Sequence, residues 1–165
     1  MKKALSVILS LLLILSGLTA SAMGLTTIED FTEPQIIPAK GIEDFYGHWE
    51  LYGTLSTTAT GDEQMILYDK NDPLLSLLSM DLDISEEHCF INVTRQKQTA
   101  ECDYEFNPDD GTLVTKHDGE VIYVFNLHDN GMISYTEETE GDKSLKEQYR
   151  VVKVTCYFIR TDSPE

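Results

Sequence analysis

The chain has 165 residues, with 29 acidic against 12 basic side chains and a formal net charge of −17. A charge this negative keeps a protein soluble and argues against nucleic acid or an anionic membrane surface as a partner. No repeat of about 20 to 50 residues and no second long apolar segment follows the first, so solenoid and multi-spanning classes lose support.

The opening carries Lys2 and Lys3, an apolar run from Ala4 to Leu18, and small residues at Ala20 and Ala22. These are the three parts of a secretory signal peptide, with cleavage predicted after Ala22. A spanning helix wants about 20 apolar residues, and this run is shorter and interrupted by Ser6, Ser10 and Ser16. No Cys follows the run where a lipoprotein would need one. The Met1-Lys2-Lys3 start resembles bacterial signals, so the expected product is secreted and extracellular, with no membrane span after cleavage. Removing the two lysines makes it more acidic still.

Residues 23–41 carry Gly24, Pro34, Pro38 and Gly41 with neither helical nor strand period, which predicts an extended leader between the signal peptide (1–22) and one domain over 42–165. Phe31, Ile36 and Ile37 are the leader residues able to pack on that domain.

From Gly41 onward, short alternating runs separated by turn residues predict an all-β domain. The first strand, 48–55, sets Trp49, Leu51, Gly53 and Leu55 on one face against His48, Glu50, Tyr52 and Thr54. Residues 56–77 break the rhythm. They are expected to form a long first connection, with Asn71 or Asp72 capping a short helix that has Pro73 in its first turn. The strand over 78–84 then alternates Leu78, Met80, Leu82 and Ile84 against Ser79, Asp81 and Asp83, a pattern buried on one face.

After a turn at 85–88, strands follow at 89–94 and 98–106, the latter with Ala100, Cys102, Tyr104 and Phe106 opposite Thr99, Glu101, Asp103 and Glu105. Asn107 to Gly111 make the next turn. Strands at 112–117 and 120–127 meet at Asp118-Gly119, a strong hairpin signal. A turn at 128–131 leads to a strand at 132–138, and Glu140 to Asp142 precede a final strand within 145–160. The apolar residues of that last stretch do not keep one parity, so it is expected to be broken or bulged.

Eight consecutive strands joined by tight turns describe an antiparallel up-and-down meander, and closing it into a barrel removes the open edges. A β-sandwich built from the same strands is the alternative. Phe45, Tyr46, Gly47, His48 and Trp49 resemble the Gly-x-Trp signature of the first lipocalin strand, here Gly47 with Trp49. The long first connection matches as well, and the likeness runs over residues 42–160. It is nearest to the lipocalin-like domains of secreted bacterial proteins. The resemblance implies an eight-stranded barrel and an Arg of the last strand, Arg150 or Arg160, stacked on Trp49.

If the strands over 89–94 and 98–106 form a hairpin with Arg95 and Gln96 at its tip, Cys89 faces Cys102 on the apolar side. A disulfide there is one outcome, worth about 3 kcal/mol in the chain-entropy model. Three reduced, buried thiols at Cys89, Cys102 and Cys156 are the other. No Gly-x-Ser-x-Gly elbow or His-flagged Cys is present, so no enzymatic role is expected. His88 and His128 fall at one end of the meander with Asp109 and Asp110, and His117 at the other. No His-x-His or Cys-x-x-Cys spacing accompanies them, and neither a metal nor a cofactor is expected.

Arg95, Lys97, Lys116, Lys143 and Lys146 all fall in or beside turns at the end bearing the long connection. A basic mouth on an acidic barrel would favour a small anionic ligand. Two functions therefore fit. One is a non-enzymatic binding protein for a small apolar or amphipathic anionic molecule, with Trp49, Leu51, Tyr104, Phe106, Tyr123 and Phe125 as walls. The other is a protein-interaction, inhibitor or adhesion module for an extracellular protein, with the interior filled by its own side chains.

Overall fold

Alternation along the chain becomes burial in the computed structural model, which describes residues 27–28, 31–68, 80–93 and 98–161. The strands are β1 (Thr27–Ile28), β2 (Ile36–Ile37), β3 (Gly47–Thr58), β4 (Glu63–Leu67), β5 (Met80–Ile84), β6 (Cys89–Val93), β7 (Gln98–Glu101), β8 (Asp103–Asn107), β9 (Thr112–His117), β10 (Glu120–His128), β11 (Ile133–Glu138) and β12 (Val151–Thr161). Helical structure among the described residues is limited to single 3-10 turns at Ile42–Phe45 and Glu147–Tyr149. The apolar opening and residues 69–79, with the helix expected there, lie outside the described residues. Among the described residues, no helix is long and apolar enough to cross a membrane.

The described residues divide into two compact units, through both of which β3, β11 and β12 run. The larger holds 32–52, 68–136 and the chain from Cys156 on. Its antiparallel sheet follows the order β7-β6-β5-β3-β12-β11-β10-β9-β8. Neighbours in that order are neighbours in sequence except at two places, β5 beside β3 with β4 between them in the chain, and β3 beside β12, so this is an up-and-down meander closed by its first and last long strands. The path also begins and ends on one stretch of chain, because β7 and β8 are the two halves of the strand expected over 98–106. They separate at Cys102, where the chain exchanges β6 for β9 as its partner. The result is a nearly closed barrel, and the sandwich alternative is set aside.

Inside it the predicted faces are kept. Trp49 pairs with Leu82, and Leu82 with Ile91. Met80, Leu82 and Ile84 are buried while Asp81 and Asp83 stay partly exposed. A bulge between Val121 and Tyr123 shifts the β9–β10 register by one residue and turns Tyr123 and Phe125 inward.

The smaller unit corrects the reading of the first connection. Residues 56–58 prolong β3, and the chain reverses at 59–62 into β4, pairing Gly53 with Leu67 and Thr57 with Glu63. Thr58, Thr60 and Asp62 brace the turn with side-chain hydrogen bonds of 2.6 to 3.1 Å. Met65 and Ile66 are both buried, so β4 lacks the alternation that marks a half-buried strand. β1 adds to its outer edge, with Thr27 opposite Ile66. The last strand starts later than expected, at Val151. Leu145 and Tyr149, 44% and 47% exposed, lie in the turn before it, and inside the strand Val154 to Phe158 are buried without alternation, so parity fails in both places.

The leader from residue 33 to 39 is a strap rather than a free spacer. β2 pairs with β10, Ile37 opposite Leu127 and Ile36 opposite His128. The Asp129 N–H donates to the Gln35 carbonyl at 3.0 Å, and the Ala39 N–H to the Gly111 carbonyl at 3.2 Å. A Cβ on Gly111 would come within 2.7 Å of Pro38 Cα, so the strap can pass only over a glycine. Ile36 and Ile37 themselves stay 62% and 38% exposed. What the strap covers is polar. A carbonyl only accepts, so in the neutral His128 ring Nδ1–H donates to the Pro34 carbonyl (3.0 Å) and Nε2 accepts from the Ser134 hydroxyl (2.7 Å). The Tyr157 hydroxyl donates to Glu33 at 2.6 Å, and the Tyr157 ring lies 5.6 Å from that of His128.

Candidate functional site

Gly47 has φ of +138°, and its missing Cβ leaves room for the Arg160 side chain, whose Cδ would lie 3.3 Å away from such a carbon. Arg160 is thereby laid across Trp49, its guanidinium carbon 4.6 Å from the ring centre. The guanidinium also donates to the Asp44 carbonyl at 2.5 Å, and the Trp49 indole N–H to the Phe45 carbonyl at 2.8 Å. The 3-10 turn at 42–45 thus offers two carbonyls to the two donors that close this end of the barrel. The choice that spacing left open falls on Arg160. Arg150 instead lies in the smaller unit, 3.9 Å from Glu147.

The six residues expected to wall a ligand chamber differ in their surroundings. Trp49 and Phe125 have 0% of their surface exposed, Leu51 7% and Tyr123 8%. Phe125 packs edge-on against Tyr135 and Phe158 at 5.7 and 6.1 Å, and Tyr123 lies 4.4 Å from Tyr135. Their neighbours Leu82, Leu113, Thr115 and Phe158 are equally closed off. Around Trp49, Leu82, Leu113, Thr115, Phe125 and Phe158 the side chains thus leave no surface open to a water molecule. Tyr104 and Phe106 are only half-buried. Tyr104 uses its hydroxyl on the Ser85 carbonyl at 2.6 Å, and Phe106 meets Phe45 at 6.5 Å.

The hairpin register over Cys89 and Cys102 is as expected, with Ile91 opposite Ala100 and Val93 opposite Gln98. The bridge is not formed, and all three cysteines are free and buried. The Cys102 N–H donates to the Cys89 carbonyl at 2.9 Å. Such hydrogen-bonded pairs stand about 1 Å farther apart than the alternate ones. The Cys102 thiol turns instead to the Ala100 carbonyl at 3.8 Å. Burial pushes the Cys89 thiol up to about 12 and the Cys102 thiol to about 11, with Asp103 and Glu101 adding to the latter.

Of the basic residues expected at the mouth, Arg95 and Lys97 lie outside the described residues. Lys116 is held by Glu105 at 2.6 Å, and Lys143 by Glu140 at 2.5 Å. Lys146 is exposed beside the last 3-10 turn. Among the described residues, no group of three or more His, Cys, Asp and Glu is placed to hold a metal ion. His88 contacts Ser85 Oγ at 3.1 Å, while His128 is fully engaged under the strap.

A groove missed in the sequence opens where β7 and β8 separate. Its volume is about 490 Å³, and Glu101, Cys102, Asp103 and Tyr104 form its floor. Glu87 and His88 stand on one side, and Lys116, His117 and Asp118 on the other. Only the strand's change of partner brings these walls together. A scan against protein-family models and searches of curated proteins and of solved structures return no match to this chain.

Proposed function

We propose that the chain is a secreted, non-enzymatic interaction module of lipocalin-like type. Its barrel is filled by its own side chains, and its outer surface engages another extracellular protein. The observation that carries this reading is the complete burial of Trp49, Leu113, Thr115, Phe125 and Phe158 along the inner wall. A ligand chamber needs about 300 Å³ or more. The Gly47–Trp49–Arg160 arrangement supports the lipocalin-like assignment, and the apolar run behind Lys2 and Lys3 supports export.

The test is titration of the chain lacking residues 1–22 with a fluorescent fatty acid, following Trp49 emission, together with native mass spectrometry of protein taken from its own host. No saturable change and no retained small molecule are expected. Stoichiometric uptake with a Trp49 response would instead establish a carrier of small amphipathic anions and overturn the reading.

A further inference from the structure

The strand over 98–107 leaves a main-chain edge open, among the described residues, where it changes partner. Among the described residues, β7 pairs only with β6, and β8 only with β9. β9 ends at His117, one residue past the Asp103–Lys116 pair, and the chain turns back at Asp118-Gly119. It therefore never runs alongside β7. Because Cys102 bonds inward to Cys89, the alternation of an antiparallel ladder turns the peptide groups of Thr99 and Glu101 to the open side. Among the described residues, the Glu101 carbonyl is met there by the His117 ring alone, at a long 3.4 Å.

Charge adds an independent observation. Glu101 and Asp103 are exposed on the outer face of the same strand, Glu87 stands across the groove, and none of the three has an ion-pair partner among the described residues. Lys116, the one amine in the wall, is neutralised by Glu105 at 2.6 Å. Among the described residues, Asp118 is met by the His117 ring alone, at 4.0 Å. An open strand edge selects an extended peptide, and unpaired carboxylates along it select cationic side chains at alternate positions.

Resting on the interaction-module reading, we propose that this groove binds an extended, lysine- or arginine-bearing segment of a partner protein. The segment adds as a short strand beside β7, replacing His117 at the Glu101 carbonyl and setting alternate cations against Glu101, Asp103 and Glu87.

The test uses the chain lacking residues 1–22 and a synthetic ten-residue peptide alternating Lys and Val, with a Glu-Val peptide as control. Binding is read by calorimetry and by amide shifts in NMR spectra. One-to-one binding of the Lys peptide alone is expected, with shifts centred on 99–103. Glu101→Lys with Asp103→Lys should weaken it about tenfold, whereas Asp109→Lys with Asp129→Lys, an equal change of net charge at other exposed positions, should leave it within about threefold. The milder Glu101→Gln with Asp103→Asn pair guards against misfolding. N-methylation of alternate peptide amides should abolish binding, because it removes the main-chain donors.

Absence of binding overturns the proposal, as do equal losses from the two charge-reversal pairs or indifference to N-methylation. Failure here with no lipid uptake at Trp49 removes the groove assignment and leaves the filled-barrel reading standing. Lipid uptake removes the filled-barrel reading by itself.

Discussion

At Trp49 a ring, a guanidinium and two carbonyls of one 3-10 turn satisfy one another. At Cys102, about halfway along the meander, an edge and several carboxylates are left without strand or ion-pair partners among the described residues. Both places are built from the same alternating strands. The difference lies in what the flanking turn supplies. The turn at 42–45 folds back over the strand end and presents acceptors, while the tight turn at 118–119 ends β9 before it can cover β7. A meander closes where a turn is generous and opens where it is short.

The largest expected effect breaks the closed region. Trp49→Ala removes a fully buried indole and should cost about 4 kcal/mol, measured by chemical denaturation. Next comes the strap. His128→Ala leaves the Ser134 hydroxyl and the Pro34 carbonyl without their shared partner and should cost about 2 kcal/mol, with faster hydrogen exchange at Ile36 and Ile37.

Arg160→Ala removes the contact over Trp49 and should cost about 1 kcal/mol, with a change in Trp49 emission. On the open side, Lys116→Ala breaks an exposed pair and should change stability by less than about 1 kcal/mol. It should also strengthen binding of the Lys-Val peptide by freeing Glu105. The thiols at the corner give a pH test of the same contrast. Both are held above their ordinary value of 9.0, so the native state keeps its protons longer than the unfolded chain. Their contribution to stability is complete below about 9 and is lost as pH rises through about 11 and 12. Alkaline unfolding should therefore move to higher pH in Cys89→Ala, and native protein should resist alkylation by iodoacetamide at pH 8.

The barrel was legible because Trp49, Leu51, Leu82, Ile84 and Phe125 obey period two, and because Asp118-Gly119 and Asn107 to Gly111 mark turns of unambiguous chemistry. β4 was not, since Met65 and Ile66 are adjacent and both buried. The strap was hidden for another reason: its hold on the barrel comes from main-chain groups of Pro34, Gln35 and Ala39, which leave no side-chain pattern. The groove was beyond reach because parity reads 98–106 as one strand and cannot show that its halves have different partners. The bridge between Cys89 and Cys102 failed for a related reason, since the register can be counted from sequence but the hydrogen-bonding phase of the pair cannot.

Mechanical load is distributed unevenly by the strap. A pull arriving at Glu33 from the N-terminal side, once β1 has left β4, loads the two-residue ladder of Ile36 and Ile37, the Pro34–His128 bond and the anchor at Ala39. Those contacts are fewer than the pairing of any long strand, and their release would uncover His128, Ser134 and Tyr157. Tension on the N-terminus would thus convert a pull into newly wetted polar surface while the barrel behind it stays folded.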